Sequence, residues 1–423
     1  MRICLTHLGC KLNQAESERL ARELVTAGHR LVESLEEADL HVLNTCTVTH
    51  QAARDSRKAA GRGARIRPGL RTVVTGCWST GEPAAAARIA GVDLVVPNAE
   101  KHLLAEKIRT AFGEGGEGDA APDLPYLPVS VGSTRALVKV EDGCNMRCAF
   151  CIIPATRGRQ QSRPLEAVVA EVRALAEAGF AEIVLTGVQI SAWRDPAGRR
   201  LVDLVRAVLA ECAVPRLRLT SIAPWDLDER LLALWDDRRL CRHLHLSLQS
   251  GATATLRRMR RPYTAASYGR LLERVRAAIP GVGITTDVIA GFPGESEGDF
   301  AASLAFVAAA HFAKVHAFPF SPREGTEAAG LPGQVSPEIK KERMARLLAA
   351  AAEGELAFHR SLLGSRATVL WERPRGGLGH GLTDNYLRVF SEAATGMAGR
   401  LSDAELVALA PGGVQGTPIL SRI

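Results

Sequence analysis

The sequence predicts an α/β protein of three parts: a doubly wound parallel α/β domain, an open (βα)6 barrel and a small C-terminal β-barrel. Strand-like and helical segments alternate along residues 1–112 and again along residues 131–363, which is typical of parallel sheets. A segment rich in Gly, Pro and acidic residues lies between these two regions, and we place a linker at residues 113–130. Residues 364–423 change to strand-like alternation with Gly-rich turns.

Length and composition are those of a soluble globular protein. The 423 residues are 46% hydrophobic and 23% charged, and about three domains are expected for this length. The N-terminus lacks a signal-peptide pattern, and His311, Lys314 and His316 interrupt the longest apolar run, so we expect a cytoplasmic protein without a membrane or DNA partner. Nine cysteines, an odd number, favour metal or catalytic thiols over a disulfide framework. The net charge of 53 − 46 = +7 favours a polyanionic partner.

The first domain has four predicted strands separated by helical segments. The strands lie at residues 2–8, 41–43, 71–75 and 92–96. Asn13 is the predicted N-cap of a helix that ends at Ala27, because a short polar side chain can accept a bond from the first helical turn. This order predicts a parallel sheet with helices on its faces.

Three cysteines follow the ends of the first three predicted strands: Cys10, Cys46 and Cys77. The carboxyl ends of parallel strands lie along one edge of a sheet, where ligands bind, so these distant thiols are expected to converge as ligands of a metal cluster. The alternative is three small core residues, since free cysteine is often buried. We assign that structural role to Cys4, Cys212 and Cys241.

The central region has six predicted strand–helix units. The strands lie at residues 136–141, 182–185, 216–220, 243–246, 284–289 and 314–318. Six units are too few for a complete eightfold barrel, so we predict an open one, with its chemistry at the C-terminal strand ends. A long helix at residues 336–363 closes or braces the barrel, and the C-terminal strands follow at residues 367–371, 386–390, 405–410 and 417–419.

The first barrel strand leads into a loop with three cysteines. Cys144, Cys148 and Cys151 have the spacing C-x3-C-x2-C, with Phe150 before the last thiol. Three thiolates can hold three irons of a 4Fe–4S cluster and leave the fourth iron open to a small molecule. The alternative is three buried or zinc-binding thiols. Polar or small residues follow other barrel strands and surround the same opening: Gly187, Gln189, Ser221, Ser247 and Gln249.

Two basic segments are candidates for nucleic-acid binding. Four arginines beside an aromatic residue could hold phosphates and stack a base, although a solvated helix end is the simpler interpretation; these residues are Arg257, Arg258, Arg260, Arg261 and Tyr263. The second segment follows Cys46 and contains Arg54, Arg57, Lys58, Arg62, Arg65 and Arg67.

The order of these parts and five long motifs resemble the radical S-adenosylmethionine (SAM) methylthiotransferases. The motifs are NTCTVT from Asn44, DGCNMRCAFCIIPATRGR from Asp142, SLQSG from Ser247, GFPGE from Gly291 and FPFSPREGT from Phe318. The resemblance covers essentially the whole chain and implies a methylthiotransferase domain, a radical SAM domain and a TRAM-like domain. GCKLNQ at residues 9–14 and TCTVT at 45–49 are most similar to the branch that modifies N6-threonylcarbamoyladenosine in tRNA. The isopentenyladenosine branch usually has glutamine where Lys11 stands, and the ribosomal-protein branch usually has proline.

The resemblance implies two 4Fe–4S clusters and SAM as cofactors. Cys144, Cys148 and Cys151 would hold the SAM-binding cluster, which supplies a 5′-deoxyadenosyl radical that removes hydrogen from carbon 2 of the adenine. Cys10, Cys46 and Cys77 would hold the auxiliary, sulfur-carrying cluster, and a second SAM would supply the methyl group. Phe150 is then expected to pack on the SAM adenine, and the other candidates for the SAM pocket are Gly187, Gln189, Ser221, Ser247 and Gln249.

The implied partners are tRNA, bound in part by the TRAM-like domain, and an electron donor such as flavodoxin or ferredoxin. Two alternatives keep the enzyme class and change the substrate, to isopentenyladenosine in tRNA or to an aspartate of a small-subunit ribosomal protein. A third is a non-catalytic iron–sulfur protein that binds RNA or transfers electrons.

Overall fold

The computed structural model describes residues 1–113 and 134–419. Apart from Gly113, the predicted linker lies outside the described residues, so the division of the chain into domains stays a prediction. None of the helices among the described residues is long and apolar enough to cross a membrane.

The N-terminal sheet has five parallel strands in the order β2-β1-β3-β4-β5. They are β1 (Arg2–His7), β2 (Arg30–Val32), β3 (Leu40–Thr45), β4 (Arg71–Gly76) and β5 (Leu94–Val96). The helices are α1 (Lys11–Thr26), α2 (His50–Ala60), α3 (Arg62–Ile66), α4 (Cys77–Gly81), α5 (Pro83–Ala87) and α6 (Leu104–Phe112), with a 3₁₀ turn at Asn98–Leu103. This order is that of a doubly wound domain. Strand β2 escaped sequence analysis because three residues are too few to show a period of two.

The prediction that Asn13 caps the first helix is wrong. Helix α1 begins at Lys11, and Cys10 occupies the N-cap position without a side-chain hydrogen bond. Asn13 lies inside the first turn and is buried, and its Nδ2 donates to the carbonyl oxygens of Leu8 at 2.7 Å and Thr45 at 2.9 Å. Its amide therefore holds the ends of β1 and β3 together instead of satisfying the start of its own helix.

The central region is an open barrel of six parallel strands, as predicted. They are β6 (Ala136–Lys139), β9 (Glu182–Thr186), β10 (Arg216–Leu219), β11 (His243–His245), β12 (Gly283–Ala290) and β13 (Lys314–Pro319). The first three strands form one parallel sheet and the last three form another, and single bridge pairs at Leu217–Leu240 and Ile222–Leu246 join the two sheets. Within the described residues β6 and β13 do not pair with each other, which leaves one side of the barrel open.

The barrel helices are amphipathic and cover its outer face. They are α8 (Leu165–Glu177), α9 (Leu201–Glu211), α10 (Glu229–Leu232), α11 (Thr253–Arg258), α12 (Ala265–Ala278), α13 (Glu297–Ala310), α14 (Glu327–Gly330) and α15 (Pro337–Ser361), with 3₁₀ turns at Ile190–Ala192 and Ala233–Asp236. One large hydrophobic core joins their buried faces to the strands. Two short strands, β7 (Glu141–Asp142) and β8 (Gln161–Ser162), flank the cysteine loop, which contains α7 (Ile153–Arg157).

The C-terminal region is a closed barrel of five strands in the order β14-β15-β16-β18-β17. They are β14 (Arg366–Arg375), β15 (Leu378–Thr383), β16 (Arg388–Ser391), β17 (Leu401–Ala410) and β18 (Gly413–Pro418), with a 3₁₀ turn at Glu392–Ala394. Trp371, Val389 and Leu406 lie in its core. Sequence analysis predicted four strands here and missed β15, whose two glycines weaken the strand signal.

Candidate active site

The N-terminal cysteines converge at the carboxyl edge of the first sheet. Cys46 directly follows β3, Cys77 is the first residue of α4 after β4, and Cys10 lies between β1 and α1. Gly9 has φ +94°, and a Cβ at this position would lie 2.6 Å from the Cys46 Sγ, so the loops of Cys10 and Cys46 touch. Burial, together with the nearby thiols of Cys10 and Cys77, raises the pKa of Cys46 to about 11.

The barrel cysteines lie on a loop whose two ends are paired. Strands β7 and β8 pair antiparallel, and the Cys144 amide donates to the Gly158 carbonyl at 3.1 Å. Gly143 has φ +72°, and a Cβ there would lie 2.3 Å from the Arg159 carbonyl oxygen, so only glycine fits at this position. Burial, with a contribution from Cys148 and Cys144, raises the pKa of Cys151 to about 12.

Both trios fit 4Fe–4S clusters by donor chemistry. The thiols are close enough to interact electrostatically, and polar hydrogens point at the sulfurs: the Met146 amide donates to Cys144 Sγ at 3.4 Å, and Arg261 Nη1 donates to Cys148 Sγ at 3.3 Å. Hydrogen bonds to sulfur are a normal part of cluster binding. No group of three His, Cys, Asp or Glu in the described ranges could hold a single metal ion. A cluster does not require one, because each of its irons takes a separate thiolate.

Arg157 connects the two trios. It ends α7, in the loop that carries Cys144, Cys148 and Cys151, yet its Nε donates to the Sγ of Cys77 at 3.2 Å. The same guanidinium donates to Glu16 at 3.0 Å, to Asp142 at 2.9 Å and to Asn13 at 2.5 Å, and its side chain is 1% exposed. A ligand candidate of the first sheet is thus bonded to the barrel's cysteine loop through one buried side chain.

A buried ionic network surrounds this arginine. Glu16 on α1 pairs with Lys101 at 2.6 Å, with Lys139 at 2.9 Å and with Arg157 at 3.0 Å. Burial disfavours the Glu16 carboxylate, but Lys101, Arg157 and Lys139 outweigh burial and hold its pKa well below the usual range. Burial likewise disfavours the charged Arg157, while Glu16 and the Cys77 sulfur hold its pKa well above the usual value. The N-terminal domain and the barrel are therefore joined by charge pairs centred on the buried Glu16 and Arg157 side chains.

A second arginine joins the two domains on another side. Arg323, in the loop after β13, donates to the Thr47 hydroxyl at 2.5 Å and approaches His50 Nδ1 at 3.4 Å. The His50 amide donates to Ser321 Oγ at 3.1 Å. The loop after the last barrel strand thus contacts the residues that follow Cys46.

Two of the predicted SAM-pocket residues adjoin Cys144. Gln189 accepts from the Cys144 thiol at 3.8 Å and donates to Asp226 at 3.0 Å. The backbone amide of Gln189 donates to the Glu141 carboxylate at 3.0 Å. A Cβ at Gly187 would lie 2.7 Å from the same carboxylate. Burial raises the pKa of Glu141 to about 7. Gly187 therefore leaves room for Glu141, which in turn fixes Gln189 beside the cysteine loop.

The other predicted pocket residues surround the opening at different distances from the thiols. The Ser247 carbonyl accepts from Arg261 at 3.5 Å, and Arg261 also donates to Cys148. Ser221 and Gln249 have φ values of +46° and +65°, a left-handed conformation that non-glycine residues rarely adopt. Phe150 packs in an edge-to-face contact with Phe292, with ring centroids 6.4 Å apart. The SAM contacts of all six residues stay predictions.

The predicted arginine patch is not one surface. Arg261 lies beside the stacked rings of Trp225 and Tyr263, at 4.9 and 5.3 Å from their centroids, and donates to Cys148. Arg258 pairs with Asp299 at 2.8 Å, and Arg260 with Glu327 at 2.8 Å, whereas Arg257 is exposed. RNA contact stays a prediction for this segment, and the geometry gives Arg261 and Tyr263 a place beside the barrel thiols instead.

Sequence analysis missed the two arginines that join the domains. Arg157 and Arg323 both lie within motifs that carried the resemblance, but nothing in their local sequence indicates a partner 80 or more positions away. The only signal available was that each is an arginine in a loop at a strand end, where cations meet ligands or thiolates.

Comparisons with known proteins agree with this arrangement. The model of the radical SAM superfamily matches residues 138–307, and that of the uncharacterized protein family UPF0004 matches residues 2–97. A tRNA-2-methylthio-N(6)-dimethylallyladenosine synthase from Maricaulis maris is 34% identical over 98% of this chain and 97% of its own. The threonylcarbamoyladenosine tRNA methylthiotransferase MtaB from Bacillus subtilis is 32% identical over 95% of this chain and 92% of its own. This chain belongs to the radical SAM tRNA methylthiotransferases.

Membership confirms the enzyme class and the cofactors, 4Fe–4S clusters and SAM, that the sequence predicted. When bound, a reduced cluster and SAM supply a carbon radical strong enough to remove an inert aromatic hydrogen. Among solved structures, the radical SAM methyltransferase TsrM from Kitasatospora setae has a TM-score of 0.57, with 16% identity over 78% of this chain and 77% of its own. At this identity the likeness supports the fold alone.

Proposed function

We propose that this methylthiotransferase adds a methylthio group to carbon 2 of N6-threonylcarbamoyladenosine next to the tRNA anticodon. The observation that carries the two-centre chemistry is the Arg157–Cys77 bond, because it brings the two cysteine trios to one interface. We assign the SAM-binding cluster to Cys144, Cys148 and Cys151, and the auxiliary cluster to Cys10, Cys46 and Cys77. Holding radical source and sulfur source in fixed geometry is the protein's main contribution to such a reaction.

The substrate base rests on the residues around Lys11 and on the likeness to the threonylcarbamoyladenosine enzyme. The second candidate is isopentenyladenosine, favoured by the names of relatives at 34% and 36% identity. Both candidates are tRNA bases, and these names speak against the ribosomal protein as substrate. We propose that the enzyme acts in the cytoplasm, where bacterial tRNA is found, and that a flavodoxin or ferredoxin is its electron donor.

The surface beside Cys46 supports tRNA binding. Helices α2 and α3 carry a group of exposed cations, which are Arg54, Arg57, Lys58, Arg62 and Arg65. Arg67 is less exposed than these residues and bonds to the Ala38 carbonyl. Exposed cations next to a catalytic opening attract phosphates without reading sequence. We propose that this surface and the C-terminal barrel hold the anticodon arm.

Mass spectrometry of tRNA nucleosides tests this function. Cells that lack this protein should lose 2-methylthio-N6-threonylcarbamoyladenosine and accumulate its precursor, and plasmid-borne enzyme should restore it. Loss of the methylthiolated isopentenyladenosine instead would overturn the substrate and favour the second candidate. Purified, cluster-reconstituted enzyme assayed on both tRNAs makes the same distinction in vitro.

A further inference from the structure

Helix α1 of the N-terminal domain packs against β6 and β9 of the barrel. Ala15 on this helix packs with Leu137 of β6 and Val184 of β9, and the Leu137 amide donates to the Glu18 carboxylate at 3.3 Å. The first residue of the helix is Lys11, which directly follows Cys10. Consecutive Cα atoms are about 3.8 Å apart, so the Lys11 Cα lies next to that of Cys10, a proposed ligand of the auxiliary cluster.

The Lys11 ammonium points into the barrel, at a tyrosine from the C-terminal barrel. Its Nζ lies 5.0 Å from the ring centroid of Tyr386, and the ring stacks on His243, the first residue of β11, at 4.4 Å. Tyr386 has φ +71°, a conformation that a non-glycine residue keeps only when its surroundings hold it there. The Tyr386 ring is therefore held in place next to the Lys11 ammonium.

Lys11 differs from the other cations around this ring in having no carboxylate partner. Arg218 pairs with Glu182 at 2.6 Å, and Arg135 pairs with Glu372 at 3.0 Å. Over residues 1–113 and 134–419, no ion pair within 4.0 Å joins a carboxylate to the Lys11 ammonium, which lies over the Tyr386 ring. A partly buried ammonium without a carboxylate partner can take an incoming anion as its counter-ion.

The inner face of β13 carries two exposed aromatic side chains. On β13, Val315 and Ala317 pack against the helical core, while His316 and Phe318 are turned to the barrel interior and stay exposed, Phe318 by 40%. His316 faces His245 across the strands, with ring centroids 6.0 Å apart. Exposed rings on the inner wall suit a flat purine, which stacks on aromatic side chains.

We propose that Lys11 binds the carboxylate at the end of the N6 substituent of the target adenosine, and thereby selects a threonylcarbamoyl group over an apolar one. This inference rests on the proposed function and adds its specificity-determining residue. The carboxylate of the substituent supplies the missing counter-ion, and its base lies against the interior rings while carbon 2 faces the two cysteine trios. An isopentenyl group would leave the ammonium unpaired.

Binding measurements test the proposal without relying on turnover. Cluster-reconstituted wild-type enzyme is titrated with anticodon stem–loop RNAs that carry N6-threonylcarbamoyladenosine, its carboxylate methyl ester, or N6-isopentenyladenosine. A charge-assisted hydrogen bond corresponds to about 10- to 100-fold in affinity, so the free acid should bind tighter than the ester by that factor. Lys11→Gln should reduce the preference to under about threefold, and Lys11→Arg should restore part of it. Lys107→Gln, at a partly exposed lysine on α6 that pairs with Glu100, is the control and should keep the full preference.

The comparison of acid and ester uses the wild-type enzyme. Its result therefore does not depend on whether a Lys11 variant folds correctly. Equal binding of acid and ester to the wild type overturns the role of Lys11. Methylthiolation by the wild type is measured on the same RNAs. Modification of the isopentenyl RNA alone overturns the proposed substrate, whereas modification of the threonylcarbamoyl RNA with no preference for the acid overturns only the proposal about Lys11.

Discussion

Replacing Arg157 with methionine should loosen the contact between α1 and the barrel. Methionine keeps most of the length of the side chain but removes the charge and every donor, and it leaves Glu16 buried with two of its three cations. Removing one partner of a buried charge pair costs about 3–5 kcal/mol, and the remaining pairs with Lys101 and Lys139 place Arg157→Met near the lower value.

Hydrogen exchange measured by mass spectrometry reports this loss locally. A loss of about 3 kcal/mol corresponds to roughly 100-fold faster exchange of α1 and β6 amides, if these elements open together. The control is Arg173→Met, because the Arg173–Glu211 pair is 47% and 49% exposed and an exposed pair contributes about 0–1 kcal/mol. Exchange in the control should rise by no more than about fivefold.

The same variant should change the auxiliary cluster. Arg157 Nε donates to the Cys77 sulfur, and losing a positive hydrogen-bond donor destabilises the reduced, more negative cluster, so its reduction potential should fall. Arg157→Lys keeps the charge without the planar fork and should give an intermediate potential. If Arg157→Met matches Arg173→Met in exchange and keeps the wild-type potential, Arg157 does not join the two centres and the argument is refuted.

Three further predictions concern the two trios and the α1 contact. Cys148→Ala should abolish SAM cleavage, whereas Cys46→Ala should retain 5′-deoxyadenosine formation and lose sulfur insertion; full methylthiolation by Cys46→Ala would refute the auxiliary assignment. Arg261→Met should lower the reduction potential of the SAM-binding cluster seen by EPR titration, since it removes the donor to Cys148, and an unchanged potential would contradict this role. Burial raises the pKa of Glu18 to about 7. The folded state therefore binds the Glu18 proton more tightly than the unfolded state. The free energy of unfolding falls as pH rises from about 4.5 through 7, because the buried carboxyl group then loses this proton. Glu18→Gln should therefore raise the urea midpoint at pH 8 more than at pH 5.5, and an equal change at both values would contradict the shift.

Sequence predicted the parts of this molecule that depend on local pattern. The ends of the strands before Cys46 and Cys77 could be predicted, because a buried strand and the turn after it are both encoded by consecutive residues. The open six-stranded barrel followed from repetition of one local unit. Strand β2, strand β15 and the cap of α1 were missed, since three residues, two glycines and one misplaced asparagine give weak or misleading local signals.

The contacts between domains were beyond local pattern. The role of Arg157 is decided by Glu16, Asn13 and Cys77, which lie 80 to 144 positions away in sequence. The positive charge of Arg157 did not indicate its partners, because arginines are common throughout the chain. The prediction of one arginine surface did not hold, because neighbours in sequence lie in different environments. Arg260 pairs at the surface with Glu327, whereas Arg261 donates to Cys148.

The placement of these arginines explains how the N-terminal domain keeps a fixed position on the barrel. Arg157, the last residue of α7, and Arg323, in the loop after β13, contact the N-terminal domain from two different segments of the barrel. Two separated contacts fix the relative orientation of two bodies better than one. They hold the loops of Cys46 and Cys77 at a fixed position relative to the barrel loops that carry Arg157 and Arg323.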